Sequence, residues 1–232
     1  MKKFLISLFI VAVFSVVIFF IGWTQIKVKS DQVGVVFSKT SGISEDAVVP
    51  GKFSWNWQFL LPGNAQLRTF TIKPYNSTKV YSGELPSGGL FSSESENFGY
   101  RFSYTIGMTV SPQQIVALLK QNKIYDEKDL NDYMNGAADT IAQLASEYLL
   151  KKAEENPSFR AESVRREDIL RSIRIYNDYP EIDLTAFAIT EAKIPDFKLY
   201  SKMQTQVTFN QDKLFQNQTT SDEQNESEIL SE

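Results

Sequence analysis

The most pronounced pattern in the chain is an uncharged apolar run at its N-terminus. From Phe4 to Trp23 there are 20 residues without a charge, and 15 of them are Leu, Ile, Phe or Val. An α-helix rises about 1.5 Å per residue, so this run would span about 30 Å, the thickness of the hydrocarbon layer of a bilayer. Trp23 ends the run, where an interfacial aromatic residue belongs. The pattern predicts a transmembrane anchor over residues 1–25.

A cleaved signal peptide is the alternative interpretation of this run. Its apolar region is about 7–15 residues long and is followed by a cleavage site of small residues. The run here is longer, and the sequence Gly22-Trp23-Thr24 that ends it does not resemble such a site. The length and the flanking residues therefore favour a retained anchor.

Lysines flank both ends of the anchor. Lys2, Lys3 and the terminal amine precede it, whereas Lys27 and Lys29 follow it and are partly offset by Asp31. Positive residues favour the cytoplasmic side of a membrane. This asymmetry predicts a single-pass protein of the cell membrane whose domain is extracytoplasmic, which in a two-membrane bacterium means periplasmic.

The rest of the chain alternates between two periodicities. Residues 98–110 alternate apolar and polar side chains without a miss, which predicts a long strand. Residues 127–152 repeat apolar positions at helical spacing, and residues 182–194 are rich in branched and small apolar residues, as in a strand. Further strands are predicted over 27–37, 67–72 and 75–81, a loop over 82–97, and helices from Pro112 and over 159–177. The order of strands, helices and a final strand predicts an α+β fold of antiparallel or mixed strands packed with helices.

Four aromatic residues alternate with polar residues soon after the anchor, namely Phe53, Trp55, Trp57 and Phe59. The spacing predicts a half-buried strand that is closed by Pro62-Gly63. One interpretation is that the aromatic side chains pack into the core. The other is that they form a surface that contacts the membrane or a partner, because the segment follows closely after the anchor.

The C-terminal segment differs in composition from the domain. Residues 210–232 contain six acidic residues and one Lys, so their net charge is −5, against −4 for the whole chain. The segment over 201–232 is polar and acidic and is predicted to be a disordered tail. The remainder of the chain is close to neutral, which does not predict a nucleic-acid partner, since such partners require a basic face.

The chain contains no Cys and no His. Their absence removes disulfides, thiolate nucleophiles, Cys/His metal sites and catalytic triads built on histidine. No metal ligands, cofactor or catalytic residues are predicted, and the chain is predicted not to be an enzyme. A Ser-Lys hydrolase is the remote alternative, but the chain has no G-x-S-x-G nucleophile motif.

Three segments, taken in order, resemble the SPFH or band-7 family of stomatins, prohibitins, flotillins and HflK/HflC. The first is the anchor followed by Val33-Gly34-Val35-Val36, and the second is Pro50-Gly51-x-Phe53 followed by Pro62. The third is the spacing that ends the family's domain, found here at Ile182, Leu184, Phe187, Ile189, Ala192 and Pro195. The resemblance covers about residues 1–200 and implies an SPFH-like domain over 26–200.

The resemblance implies a non-enzymatic scaffold or regulator anchored in the membrane. Its implied partners are the lipid bilayer, further copies of the chain, and a membrane-bound AAA protease of the FtsH class. The chain departs from the family in having Glu181 where a Gly is common, and in lacking the long coiled coil that usually follows Pro195. The alternative function is an anchored extracytoplasmic module that binds a peptide or a cell-envelope ligand near the loop over 82–97.

Overall fold

The computed structural model of the protein describes residues 2–86, 98–156, 158–210 and 213. Its helices are α1 (Lys2–Gly22), α2 (Pro112–Lys120), α3 (Glu127–Glu155), α4 (Arg166–Ile173) and α5 (197–210). Its strands are β1 (Gln32–Ser38), β2 (Gly42–Ile43), β3 (Ala65–Thr71), β4 (Tyr75–Glu84), β5 (Gly99–Thr109) and β6 (Asp183–Lys193). Short 3-10 turns lie at Gln25–Lys27, Trp57–Leu60, Ala161–Ser163 and Ile175–Asn177.

Helix α1 is the one described helix that is long and apolar enough to cross a bilayer. Its mean hydropathy is 3.1 and none of its apolar stretch is buried against the rest of the protein. Apolar residues on a surface helix normally face the core of the domain, whereas most of those on α1 are exposed. The predicted N-terminal apolar helix is therefore confirmed as a helix.

The first sheet has the strand order β2-β1-β3, and β1 pairs antiparallel with β3 from Gln32 opposite Thr71 to Ser38 opposite Ala65. The side chains of β1 are buried in succession from Val33 to Val36, which shows that both faces of this strand are covered. Gly34 has no room for a side chain, because an added Cβ would lie 2.8 Å from Leu67 and 2.9 Å from Val28.

The second sheet has the strand order β4-β5-β6. Asn76, near the start of β4, lies beside Gly107 near the end of β5, and Gly83 lies beside Tyr100. The start of β4 thus lies beside the end of β5, and the end of β4 lies beside the start of β5, so the two strands are antiparallel. Thr190 of β6 donates a hydrogen bond to a main-chain carbonyl of β5.

The central strand β5 supplies much of the apolar core. Phe102, Tyr104, Ile106 and Met108 have no solvent exposure, as their alternation with polar residues predicts. The strand ends at Thr109, and Ser111 is the N-cap residue of α2, which begins at Pro112. The predicted strand and the predicted helix after it are both confirmed.

The start of α2 gives a modest stability prediction. The Ser111 hydroxyl accepts a hydrogen bond from the Gln114 main-chain N–H at 3.3 Å, and the Ser111 N–H donates one to the side-chain oxygen of Gln114, so the two residues form a capping box. We expect Ser111→Ala to lower the free energy of unfolding by about 1 kcal/mol, because one helix N–H loses its partner. Urea unfolding in detergent measures this, and the exposed Gln113→Ala, on the same turn, provides a control expected to change by less than about 0.5 kcal/mol.

The chain divides into two compact units. The first comprises Met1–Lys79, Thr105–Ile141 and Arg174–Ala188, and it contains α1, the first sheet and α2. The second comprises Val80–Tyr104, Ala142–Ile173 and Ile189–Glu232.

In the second unit, the Tyr104 hydroxyl lies 2.7 Å from the buried Ser146 hydroxyl. A separate apolar cluster forms where α5 packs against residues just after the end of β4 and just before the start of β5. Its buried members are Leu85, Phe98 and Tyr200, and Phe197, Leu199, Met203 and Val207 pack against them.

The structure confirms the α+β class with antiparallel sheets and corrects several predicted elements. Residues 53–59 do not form a strand, since they contain one isolated bridge at Trp55 and then a 3-10 turn. The helix predicted over 159–177 is regular only in α4. The first ten residues of the predicted tail, 201–210, are helical, whereas residues 214–232 and most of the predicted loop, 87–97, lie outside the described residues.

Candidate membrane-interface site

Helix α1 ends inside the folded first unit and not in a linker. Trp23 and Trp55 form an antiparallel bridge, in which the Asn56 N–H donates to the Gly22 carbonyl at 2.8 Å and the Thr24 N–H donates to the Ser54 carbonyl at 3.0 Å. Thr24 is fully buried, and its hydroxyl lies 2.9 Å from the Ser54 hydroxyl. Residues 22–24 are therefore held by residues 54–56 through main-chain and side-chain bonds.

Aromatic contacts extend this attachment toward the middle of α1. The ring of Phe53 stacks on Phe19 with the centroids 5.9 Å apart and the planes at 15°, and it also contacts Trp23 at 5.9 Å. The Trp55 indole N–H donates to the Phe19 carbonyl at 3.2 Å. Because Phe19 lies one turn before Trp23, the segment reaches about 6 Å down the helix from its end.

Gly22 permits this close approach of the indole to the helix. A Cβ at position 22 would overlap the Nε1 and Cε2 atoms of Trp55 and would lie 2.9 Å from Cζ2. No other amino acid fits between the helix and the ring in its present position. The glycine is thus required by packing, since it has ordinary helical geometry and not a positive φ.

We call Trp23, Phe53, Trp55, Trp57 and Phe59 the aromatic collar. Phe53, Trp55 and Trp57 are 57%, 39% and 51% exposed, and Phe59 is partly buried. The interpretation that these side chains pack into the core is therefore wrong for Phe53, Trp55 and Trp57. Their assignment to a membrane or partner surface is compatible with this exposure and stays a prediction.

The local sequence explains why the segment turns after Trp55. The side chain of Asn56 accepts a hydrogen bond from the Gln58 N–H at 2.9 Å and so caps the 3-10 turn Trp57–Leu60. Pro62-Gly63 follows, with Gly63 at φ +67°, and directs the chain into β3. The cap and the Pro-Gly pair were the signals that could have excluded a strand, although the alternation of aromatic residues matches a strand period.

Basic and further apolar residues lie close to the collar in the sequence. The Lys27 amine lies 4.2 Å from the centroid of the Phe59 ring, a cation–π contact. Ile26 and Leu61 are exposed, and so are Lys29 and Lys52. No acidic residue occurs in residues 1–30 or 47–83 of the sequence, so the chain around the collar is positively charged.

A second polar cluster in the first unit surrounds the buried carboxylate of Glu181. The Lys123 amine lies 3.1 and 3.2 Å from its two oxygens, and the Tyr133 hydroxyl donates to it at 2.7 Å. Burial by itself would raise the pKa of Glu181, but hydrogen bonds from Tyr133, Lys123 and Gln121 outweigh it and lower the pKa. Burial, together with the hydrogen bond to Glu181, raises the pKa of Tyr133.

The Glu181 carboxylate is therefore ionised at neutral pH and hydrogen-bonded to Lys123 and Tyr133. A carboxylate with a lowered pKa is a poor proton acceptor, so this geometry favours a structural role over a catalytic base. Glu181 lies just before β6, and its contacts join that part of the chain to Lys123, between α2 and α3, and to Tyr133 of α3. In the described part of the chain, no group of three or more His, Cys, Asp or Glu side chains is arranged to hold a metal ion.

Fold and site together define a mixed α+β protein whose apolar N-terminal helix is built into its first unit. A curated protein of Treponema pallidum (strain Nichols), described as an uncharacterized protein, is similar to this chain, with 21% identity over 187 residues. The match covers 77% of this chain and 62% of that protein, so the chain spans less than two thirds of its relative's length. No family model matches the chain, and the resemblance to the SPFH family stays a prediction.

Proposed function

We propose that this protein is a non-enzymatic scaffold or regulator, held on the membrane by a retained α1 helix. The observation that carries the proposal is the attachment of residues 19–24 to residues 53–56. An anchor followed by a flexible linker would only tether its domain. An anchor bonded into its domain also sets the domain's position against the bilayer, which a laterally organising protein needs.

The same contacts favour a retained helix over a removed signal peptide. Cleavage near Thr24 would leave the Trp55 indole N–H without its acceptor and would remove Phe19 from the ring of Phe53. It would also break the two main-chain bonds that pair residues 22 and 24 with residues 54 and 56. A signal peptide is removed from the mature domain, so specific bonds between the two are not expected.

The partners in this proposal come from the family resemblance. They are the bilayer, further copies of the chain and a membrane-bound AAA protease of the FtsH class. The flanking lysines support an extracytoplasmic position for the domain. The absence of His and Cys from the sequence, and the fully bonded state of Glu181, support a non-enzymatic role.

Two measurements on native membranes test the proposal. Mass spectrometry of the mature chain is expected to find the N-terminal apolar segment, and a mature start near Lys27 would refute the anchor. Crosslinking followed by identification of neighbours is expected to give multimers of the chain together with another integral membrane protein. A strictly monomeric chain without membrane-protein neighbours contradicts the scaffold, and labelling by a serine-directed activity probe would favour the Ser-Lys hydrolase instead.

A further inference from the structure

We propose that the aromatic collar, with Ile26 and Leu61, is a second membrane contact that lies in the headgroup–acyl boundary of the leaflet from which α1 emerges. This inference rests on the proposed membrane-spanning role of α1. It adds that the domain itself enters the lipid interface, and it assigns that contact to named side chains.

The depth of the collar follows from its bonds to the helix. Phe53 and Trp55 contact Phe19, and Trp23, directly after the last residue of α1, lies about 6 Å further along the helix axis. The interfacial zone in which amphipathic segments lie is about 5–10 Å deep. If α1 spans the bilayer, side chains attached between Phe19 and Trp23 cannot lie far from that zone, because the helix axis fixes their level.

The exposed side chains have the chemistry of this zone. Trp and Tyr concentrate at both interfaces of membrane proteins because an amphipathic ring is stable where one end is apolar and the other is wet. Trp57 is half exposed, and Ile26 and Leu61 add exposed apolar surface in the same two segments. Phe53 stacks on Phe19, which is itself an exposed apolar residue of α1, so lipid that surrounds the helix also reaches the collar.

The charge of the surrounding residues matches an anionic lipid surface. Lys27, Lys29 and Lys52 flank the collar in the sequence, and residues 23–30 and 47–61 contain no acidic residue. Basic residues near a membrane are attracted to negatively charged headgroups. The long lysine side chains can cover apolar surface while their amines stay at headgroup level, as Lys27 does over the Phe59 ring.

The sequence makes the collar unusually easy to observe. The chain has three Trp residues, Trp23, Trp55 and Trp57, and all three belong to the collar. Intrinsic tryptophan fluorescence of the full-length chain therefore reports on this surface alone. A variant with Trp23→Phe and Trp55→Phe leaves Trp57 as the single reporter, and the unmodified chain shows whether the two substitutions disturb the result.

The experiment places the full-length chain in vesicles of phosphatidylcholine and phosphatidylglycerol, with no other protein present. We expect Trp57 to be quenched by lipids brominated near the glycerol end more strongly than by lipids brominated near the chain terminus. We also expect its quenching by aqueous iodide to be several-fold weaker than that of a control reporter. The control is Tyr176→Trp in a chain whose three tryptophans are replaced by Phe, since Tyr176 is an exposed aromatic residue outside the collar.

The inference is overturned if iodide quenches Trp57 as strongly as it quenches the control and brominated lipid does not quench it. That result would favour a protein partner at this surface. Extraction with alkaline carbonate separates this result from failure of the proposed function. A chain that stays with the vesicles while Trp57 faces water keeps its anchor and loses only the second contact. A chain that is extracted has no spanning helix, and both proposals fail.

Discussion

Replacement of Gly22 by alanine will displace the Trp55 indole from α1 and destabilise the attachment of the collar by about 1–3 kcal/mol, the usual cost of overpacking. The added Cβ would overlap the indole ring. The ring cannot move aside without losing its hydrogen bond to the Phe19 carbonyl. In an unconstrained helix the same change would be favourable by about 1 kcal/mol, because alanine is the better helix former. Packing and helix propensity thus predict changes of opposite sign in the free energy of unfolding.

The measurement is the fluorescence of Trp55 in a chain with Trp23→Phe and Trp57→Phe, with and without Gly22→Ala. We expect the substitution to raise iodide quenching of Trp55 and to lower the urea concentration at the midpoint of unfolding in detergent. Unchanged quenching together with a higher midpoint would show that the indole does not lie against the helix at Gly22.

Gly136→Ala is the matched control. Gly136 is also a helical glycine, but a Cβ there would meet only the Tyr179 hydroxyl at 3.7 Å, which is an ordinary contact. We expect this variant to gain about 1 kcal/mol of stability from helix propensity. A stabilising change at Gly136 beside a destabilising change at Gly22 isolates the packing against Trp55.

Replacement of Glu181 by glutamine will lower the free energy of unfolding by about 3 kcal/mol, because it leaves Lys123 without its buried counter-charge. The side chain of Glu181 is 7% exposed and that of Lys123 is 34% exposed, so water replaces the lost interaction only in part. The amide also presents a donor group toward a site that contains the Lys123 amine and the Tyr133 hydroxyl.

Glu191→Gln is the control for the Glu181 variant, since it makes the same chemical change in an exposed pair. Glu191 lies 3.1 Å from Arg101, but the two side chains are 50% and 51% exposed. We expect the control to change stability by less than about 0.5 kcal/mol, as exposed ion pairs contribute little. Similar losses in both variants would show that burial of Glu181 does not strengthen its interactions.

The Glu181 cluster also predicts a dependence of stability on pH. The pKa of Glu181 is lowered in the folded protein, so its contribution is present above the ordinary carboxyl value of 4.5 and is lost as the pH falls below it. Unfolding measured from neutral pH to below 4.5 is expected to show a steeper acid loss in the parent chain than in Glu181→Gln. Parallel pH profiles would contradict this assignment.

Local periodicity predicted the helices and strands that bury one face of their own side chains. The alternation in β5 and the helical spacing in α3 are long enough to identify each element, since a covered face requires apolar side chains at that period. Helix α5 was missed because its segment is polar overall. Its apolar positions at Phe197, Tyr200, Met203 and Val207 nevertheless have helical spacing and pack on the second unit's cluster.

The sequence alone determined that the N-terminus is an apolar helix, that the chain has an α+β fold, and that chemistry requiring Cys or His is absent. Only the tertiary structure decided that Phe53, Trp55 and Trp57 are exposed and that α1 is bonded to their segment. Those facts depend on contacts between residues far apart in the sequence, such as Phe19 and Trp55, which are 36 positions apart. Local periodicity carries no information on such contacts. Gly22 shows the reason most directly, because a glycine near a helix end has no evident role until the indole that lies against it is located.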